Sequence, residues 1–124
     1  MEPKIVHEKI TQEQLIHMTR EGYYENMAKL AVDVEREILA IGGEWHSDAE
    51  EVLIADGSKA TDVWGVNFYP WKASNERIVY TSLINLKPVV QHRKMEVTDR
   101  ATRSKIHDII TQLLLDDKET LPAE

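Results

Sequence analysis

The stretch "KLAVDVEREILAIGGEWHSDAEE", residues 29–51, decides the fold. Apolar side chains occupy every second position from Leu30 to Val34, which is typical of a half-buried strand. A charged turn at 35–37 separates this strand from the apolar run "ILAIGGEW", residues 38–45. The two apolar runs therefore predict a β-hairpin, with Ala31, Asp33 and Glu35 on the outer face of its first arm.

The second half of the same stretch predicts a change from strand to helix. Ser47 and Glu50 have capping-box spacing, acidic residues fill the first turn, and Gly57 suits the position that closes a helix. These signals predict a short helix from Asp48 to Asp56. A strand through "EEVLIA", residues 50–55, is the alternative.

Five further elements are predicted on either side of this stretch. Residues 3–10 resemble a short edge strand, and Thr11 with Gln14 forms a capping box that begins a helix from Gln12 to about Ala28. Residues 62–70 predict a strand ended by Pro70. Residues 77–88 predict a long strand with Ile78, Tyr80, Ser82, Ile84 and Leu86 on one side. Thr98 or Asp99 begins the last helix, whose apolar stripe is Ile106, Ile109, Ile110, Leu113 and Leu114.

This order of elements predicts an α+β fold, with a mostly antiparallel sheet of about four strands and helices packed on one face. An N-terminal helix, a C-terminal helix and a short helix between strands complete it. We expect residues 1–124 to form a single domain, with a flexible tail over about 117–124.

Composition narrows the possible classes of function. The 124 residues contain no cysteine, which excludes disulfides, thiolate zinc sites and cysteine nucleophiles and fits a cytoplasmic location. No apolar run has the length of a membrane span. Net charge is −7, but it is uneven: nine acids face two bases over 33–62, whereas six bases face two acids over 87–107.

Glu44, His46 and Asp48 are candidate ligands for a divalent metal. In an extended chain their side chains would point to one side, and carboxylates with an imidazole suit Mg²⁺ or Mn²⁺. A helix start accounts for the same acids without a metal, and it leaves Glu44 and His46 on a solvated strand face. No hydrolase elbow, phosphate loop or zinc-protease motif occurs, so no catalytic residue is predicted.

A second candidate is a surface for single-stranded nucleic acid or another polyanion. The basic segment offers phosphate contacts from Arg93, Lys94, Arg100, Arg103 and Lys105. Tyr69, Trp71 and Tyr80 offer rings on which bases could stack. The alternative is that these aromatic residues only fill the core.

Three strings of the chain resemble a family of short bacterial proteins whose function is uncharacterised. They are G-G-E-x-H-x-D-x-E at 42–50, D-G-S at 56–58 and W-G-x-N-x-Y-P at 64–70. The resemblance covers about residues 5–114 and implies no activity. It draws attention to Glu44, His46, Asp48, Asn67 and Tyr69. At the level of fold, the chain also resembles single-stranded-DNA-binding coactivators and Whirly proteins, which implies a homodimer or higher oligomer.

Three functions therefore remain open. The first is a non-enzymatic binding module for single-stranded nucleic acid or another polyanion. The second is a metal-dependent or small-molecule site around Glu44, His46 and Asp48. The third is a structural or protein-interaction subunit.

Overall fold

A computed structural model describes residues 2–123, and it has an α+β fold built on one five-stranded sheet. The strands are β1 (Lys4–Val6), β2 (Ala28–Asp33), β3 (Ile38–Ile41), β4 (Val63–Phe68) and β5 (Ile78–Val79). The helices are α1 (Gln12–Arg20), α2 (His46–Ala55) and α3 (Arg100–Leu113). The strand order is β1-β3-β2-β4-β5, and all neighbours are antiparallel. The predicted fold class is confirmed, with one strand more than expected.

The predicted hairpin is confirmed as β2 and β3. Leu30 pairs with Ile41, and Asp33 pairs with Ile38. The Asp33 side chain is fully buried, and its Oδ1 accepts hydrogen bonds from the backbone N–H groups of Glu35 and Arg36, each at 2.9 Å. This carboxylate therefore shapes the turn, and it does not lie on a solvated face as its position in the alternation suggested.

Both faces of the sheet are covered, so the expectation that the helices pack on one face was wrong. On one face, Leu30 and Val32 of β2 join the core made by α1 and α3. On the other face, Ala31 and Ala40 pack against Ala49 and Leu53 of α2 and form a second core. Two alanines on adjacent strands leave room for a helix to approach this face closely.

Helix α1 begins as predicted but ends early. Thr11 Oγ1 accepts the N–H of Gln14 at 3.0 Å, and Gln14 Oε1 accepts the N–H of Thr11 at 2.9 Å. The helix ends at Arg20 instead of about residue 28. The chain needs residues 21–27 to turn towards β2, and Glu25 has a φ of 64° within that turn.

Helix α2 confirms the helical alternative for 48–56 and excludes the strand. It begins at His46, and its N-terminal hydrogen bond joins the N–H of Trp45 to Asp48 Oδ2 at 3.0 Å, in place of the expected Ser47 and Glu50 pair. Gly57 closes the helix as predicted, at a φ of 111°. The N–H of Ser58 donates to the carbonyl of Leu53, which is the hydrogen bond of a Schellman motif.

The predicted long strand over 77–88 was wrong, because within this segment only the two residues of β5 pair with β4. Beyond β5, the side chain of Asn85, and not a further strand, forms hydrogen bonds with the backbone of β4. Its Oδ1 accepts the N–H of Gly65 at 2.7 Å, and its Nδ2 donates to the carbonyls of Gly65 and Met95 at 3.0 and 2.9 Å. A Cβ on Gly65 would lie 2.7 Å from the Cβ of Ser82, so this approach requires glycine.

The C-terminal part of the chain packs against the core. Asp99 caps α3 by accepting the N–H of Thr102 at 2.9 Å, and the predicted apolar stripe is buried. The flexible tail predicted over about 117–124 ends one position outside the described residues, and its flexibility stays a prediction. Within 117–123, Leu121 is 5% exposed, and the Pro122 carbonyl accepts Trp71 Nε1–H at 2.9 Å. Arg77 donates to the carbonyls of Asp116 and Glu119.

Among the helices of residues 2–123, none combines the length and the apolar character that crossing a membrane requires.

Replacing Asn85 with alanine should destabilise the fold by about 3 kcal/mol, because the buried N–H and carbonyl of Gly65 lose their partner and the Met95 carbonyl keeps only the hydrogen bond from the Ser82 N–H. Denaturant unfolding measures this loss. Asn75→Ala, at an exposed turn position, is the matched control and should change stability by less than about 0.5 kcal/mol. Equal unfolding midpoints for the two variants would contradict the role assigned to the Asn85 amide.

Candidate functional site

The decamer "GGEWHSDAEE", residues 42–51, forms a wall between two cavities of opposite chemistry. Glu44, Asp48 and Glu51 line one cavity of about 750 Å³. Trp45, His46 and Ser47 line the other, of about 600 Å³. The first turn of α2 separates the two sets, because successive residues of a helix point in different directions.

The first cavity is acidic. Glu2 and Glu21 join the three carboxylates from the decamer, and no lysine, arginine or histidine lines it among the described residues. Its apolar wall includes Tyr23 and Val52. We call it the acidic cavity.

The three candidate metal ligands are divided between these cavities. Glu44 and Asp48 face the acidic cavity, whereas His46 lines the other one. In the part of the chain that the structure describes, no group of three His, Cys, Asp or Glu side chains could hold a metal ion. The structure therefore does not bring the three residues together, and a divalent metal at this position stays a prediction.

His46 is the most perturbed histidine of the site. It is 8% exposed, and its Nε2 lies 3.0 Å from the carbonyl oxygen of Val66 on β4. Burial, reinforced by the positive charge of Lys29, lowers the pKa of His46 to about 4. The ring is therefore neutral at pH 7. Because a carbonyl only accepts, Nε2 carries the proton and Nδ1 presents a lone pair.

The solvated position expected for His46 was wrong for a local reason. Residue 46 was assigned to the end of a strand, but it is the first residue of α2. The helical turn directs the ring back over the sheet towards β4, where it is buried.

Lys29 and Asn67 complete the polar part of this cavity. They are direct partners in the β2–β4 register, and Lys29 Nζ lies 3.4 Å from Asn67 Oδ1. The ammonium group also lies 5.3 Å from the centre of the Tyr24 ring. Burial lowers the pKa of Lys29. Within residues 2–123, Lys29 forms no ion pair. We call this cavity the Lys29 cavity.

The rest of the Lys29 cavity is largely apolar. Trp45 and Leu83 are 58% and 69% exposed and form the rim with Ile84. Ser47, Thr81 and Ser82 contribute hydroxyl groups. No carboxylate lines this cavity in the described chain.

Sequence reasoning found His46 and Asn67 but missed Lys29. Asn67 lies in one of the three strings of the family resemblance, whereas the sequence analysis assigned no role to Lys29. The available signal was its position in the alternation: Lys29 shares a face with Ala31, which α2 covers.

The basic residues predicted to bind a polyanion are spread over one loop and α3. Arg93, Lys94 and Arg100 are exposed. The Arg103 guanidinium lies 4.6 Å from the centre of the Tyr80 ring and 3.3 Å from a Glu96 oxygen. Lys105 lines a separate cavity together with acidic residues, Glu35, Glu37 and Asp108.

Each candidate stacking ring already contacts a cation of this chain. Lys72 lies 4.4 Å from the centre of the Tyr69 ring, and Arg20 lies 5.0 Å from that of Trp71. Trp71 also packs against the core. Arg103 and Tyr80 therefore lie together, whereas Tyr69 and Trp71 each contact a cation outside the predicted basic segment.

Comparison with protein families matches residues 4–113 to the family described as "Protein of unknown function (DUF5674)". The chain belongs to this family. No curated protein and no solved structure matches it. The DUF5674 assignment confirms the resemblance to an uncharacterised family. The individual motif strings and the Whirly-like resemblance stay predictions.

Every residue that lines the Lys29 cavity lies within the DUF5674 match, and so does the decamer that divides the two cavities. The cavity is therefore formed within the matched segment of this DUF5674 chain, without a contribution from residues 114–123.

His46 should make the stability of this DUF5674 protein depend on pH between about 4 and 6.5. Its folded-state pKa of about 4 lies below the ordinary 6.5. The stability from a neutral His46 is thus complete above pH 6.5 and is lost as the pH falls towards 4, by about 3 kcal/mol. Unfolding of wild type and His46→Gln across this range measures the difference, because glutamine does not titrate.

A constant difference between these two proteins would contradict this assignment. The His46 resonances provide an independent check by NMR, since they should titrate near pH 4. By contrast, Asp108 and Asp117 raise the pKa of His107 despite its partial burial, so its resonances should titrate above the ordinary value.

Proposed function

We propose that this protein is a binding module for a small molecule, which occupies the Lys29 cavity. One observation carries the proposal: a concave, largely apolar cavity contains three convergent polar side chains, Lys29, His46 and Asn67. Its volume of about 600 Å³ falls within the range of small-molecule sites in proteins.

Different side chains of the cavity would contact different parts of a ligand. Trp45, Leu83 and Ile84 offer apolar surface from which a ligand would displace water. Lys29 offers a cationic donor, and Asn67 offers an amide. A neutral His46 whose Nε2–H is engaged by Val66 offers a lone pair at Nδ1. These groups would fix the orientation of a ligand as well as hold it.

The position of these groups also favours a preformed site. Lys29 and Asn67 lie on adjacent strands in the centre of the sheet, and His46 is held to the Val66 carbonyl of the same strand as Asn67. Side chains on paired strands change their spacing less than side chains on loops, so binding requires little ordering of the polar groups.

A polyanion-binding surface is the second candidate function. It is supported by three exposed bases, Arg93, Lys94 and Arg100, which form no ion pair within the described chain. Exposed lysines and arginines that form no ion pair can contact the phosphates of a nucleic-acid backbone.

A homodimer and a cytoplasmic location are further proposals. Exposed apolar side chains at Leu83, Val89 and Val90 support an interface with a second copy. The absence of cysteine from the sequence supports a reducing compartment.

Filling the Lys29 cavity should abolish ligand binding without unfolding the protein. Ser47 is exposed on the cavity wall, so its replacement by tryptophan would fill the cavity. Ser47→Trp should therefore lower the affinity of small fragments, found by ligand-observed NMR, by at least about tenfold. Glu51→Trp places the same side chain on the same helix but at the acidic cavity, and it should leave binding unchanged. Fragments that bind Ser47→Trp as well as wild type would contradict the proposed site.

The polyanion candidate predicts salt-dependent binding of a single-stranded oligonucleotide, measured by fluorescence anisotropy. Replacing Arg93 and Lys94 together with glutamine should reduce the slope of log affinity against log salt by about two. Lys59→Gln, an exposed change in the acidic segment, should leave the slope unaltered. No binding at low salt would reject this candidate.

A further inference from the structure

The two cavities beside the decamer differ most in charge. The acidic cavity is lined by five carboxylates, whereas the Lys29 cavity contains a lysine and a histidine and no carboxylate among the described residues. This contrast arises in a chain of net charge −7, with 22 acids and 15 lysines and arginines. A carboxylate-free cavity around a lysine is therefore a local departure from the overall composition.

Among the described residues, Lys29 has no counter-ion of the kind that a partly buried ammonium group ordinarily has. Its recorded partners are a neutral amide oxygen, Asn67 Oδ1 at 3.4 Å, and the face of the Tyr24 ring. Both are weak partners for a charge, since the hydrogen bond is long and the ring is uncharged. Removing an ammonium group from water without an anion costs free energy. A bound anion would recover part of that cost.

The start of α2 adds to the positive potential of Lys29, whereas His46 stays neutral. The charge of Lys29 acts against protonation of the buried ring, so the site holds one positive charge beside a neutral imidazole. The N–H groups of His46 and Ser47 belong to the first turn of α2 and have no acceptor within the helix. Asp48 occupies only the Trp45 N–H, from the side of the acidic cavity.

The number of cations indicates which anion fits. Sites for phosphate esters generally combine several cationic groups or a glycine-rich loop of backbone N–H groups. Here a single lysine faces a cavity with apolar walls. One cation balances one carboxylate, and the apolar rim at Trp45, Leu83 and Ile84 would cover an uncharged body.

We propose that the ligand of the Lys29 cavity is an organic monocarboxylate, whose carboxylate lies at Lys29 and whose apolar body lies between Trp45 and Leu83. This inference rests on the proposed function, because it specifies the chemical class of the small molecule.

The test compares phenylacetate with phenylacetamide, which have the same shape but differ in charge. Titrations of isotope-labelled protein at pH 7, followed by amide NMR shifts, give both affinities and the location of binding. Phenylacetate should bind about tenfold more tightly, with shifts at 45–47, 67 and 81–84. It should also raise the pKa of His46, because a bound carboxylate offsets the charge of Lys29.

Variants assign the preference to Lys29. Lys29→Met keeps the length of the side chain without its charge. It should lower the affinity for phenylacetate about tenfold and leave the affinity for phenylacetamide within about twofold of wild type. Lys29→Arg retains a cation and should retain the preference for the acid. Lys59→Met removes an exposed lysine outside the cavity and should change neither affinity.

The outcomes separate this inference from the proposed function. Equal affinities of the two probes, or a preference for the acid that survives in Lys29→Met, would overturn the monocarboxylate. Failure of phenylacetate to shift the cavity amides at millimolar concentration would also overturn it. Neutral fragments that still bind there and are blocked by Ser47→Trp would keep the small-molecule proposal.

Discussion

The backbone at Gly42 and Gly43 is the constraint on which the rest of the molecule depends. Their φ angles are 117° and 92°, a region that residues with a side chain rarely adopt. A Cβ on Gly43 would lie 2.9 Å from that of Asp48, so a side chain there would also collide with the helix that follows. The two glycines take the chain from the end of β3 to α2, which lies across β2 on the face opposite α1 and α3. Without this change of chain direction at Gly42 and Gly43, α2 would not cover the sheet. Neither cavity would then be lined by the decamer.

This placement explains why ten residues of mixed chemistry produce two different environments. Glu44, Asp48 and Glu51 lie on the side of the acidic cavity, and the positive end of the helix dipole favours a carboxylate in the first turn; Glu50 lines a separate cavity with Lys87. The same turn directs His46 over the sheet, where burial keeps it neutral. The decamer is therefore both an architectural element and the boundary of a candidate binding site. The metal hypothesis treated its side chains as one group, but the helix divides them.

Features encoded by neighbouring residues could be predicted from the sequence, whereas features that depend on tertiary packing could not. The Thr11 cap, the Asp99 cap, the Gly57 terminus and the β2–β3 hairpin each follow from residues within one turn of each other. The break after β5 could not be predicted, because it depends on Asn85 bonding to Gly65, twenty residues away. The residues of the candidate site were harder to predict than the secondary structure. Lys29 becomes a cavity residue only because β2 pairs with β4 and α2 covers that face, and the alternation of β2 alone suggested a solvated side.

Lys87 shows that burial of a lysine does not by itself indicate a binding site. It is 6% exposed, yet its ammonium group donates to the carbonyls of Ala60 and Ile84 at 2.7 and 3.2 Å and lies 5.0 Å from the centre of a Trp64 ring. Burial lowers its pKa, while Glu50 and Asp62 act in the opposite direction. The ammonium group of Lys87 thus has hydrogen-bond acceptors within the protein, and these bonds connect the 83–90 segment to the turn at 60–62. Lys29 is less buried, but among the described residues its ammonium group contacts neither a backbone carbonyl nor a carboxylate. A cation that the fold places in a cavity without an anion among the described residues is the kind of local cost that proteins retain for function, so we place the proposed ligand site at Lys29 rather than at Lys87.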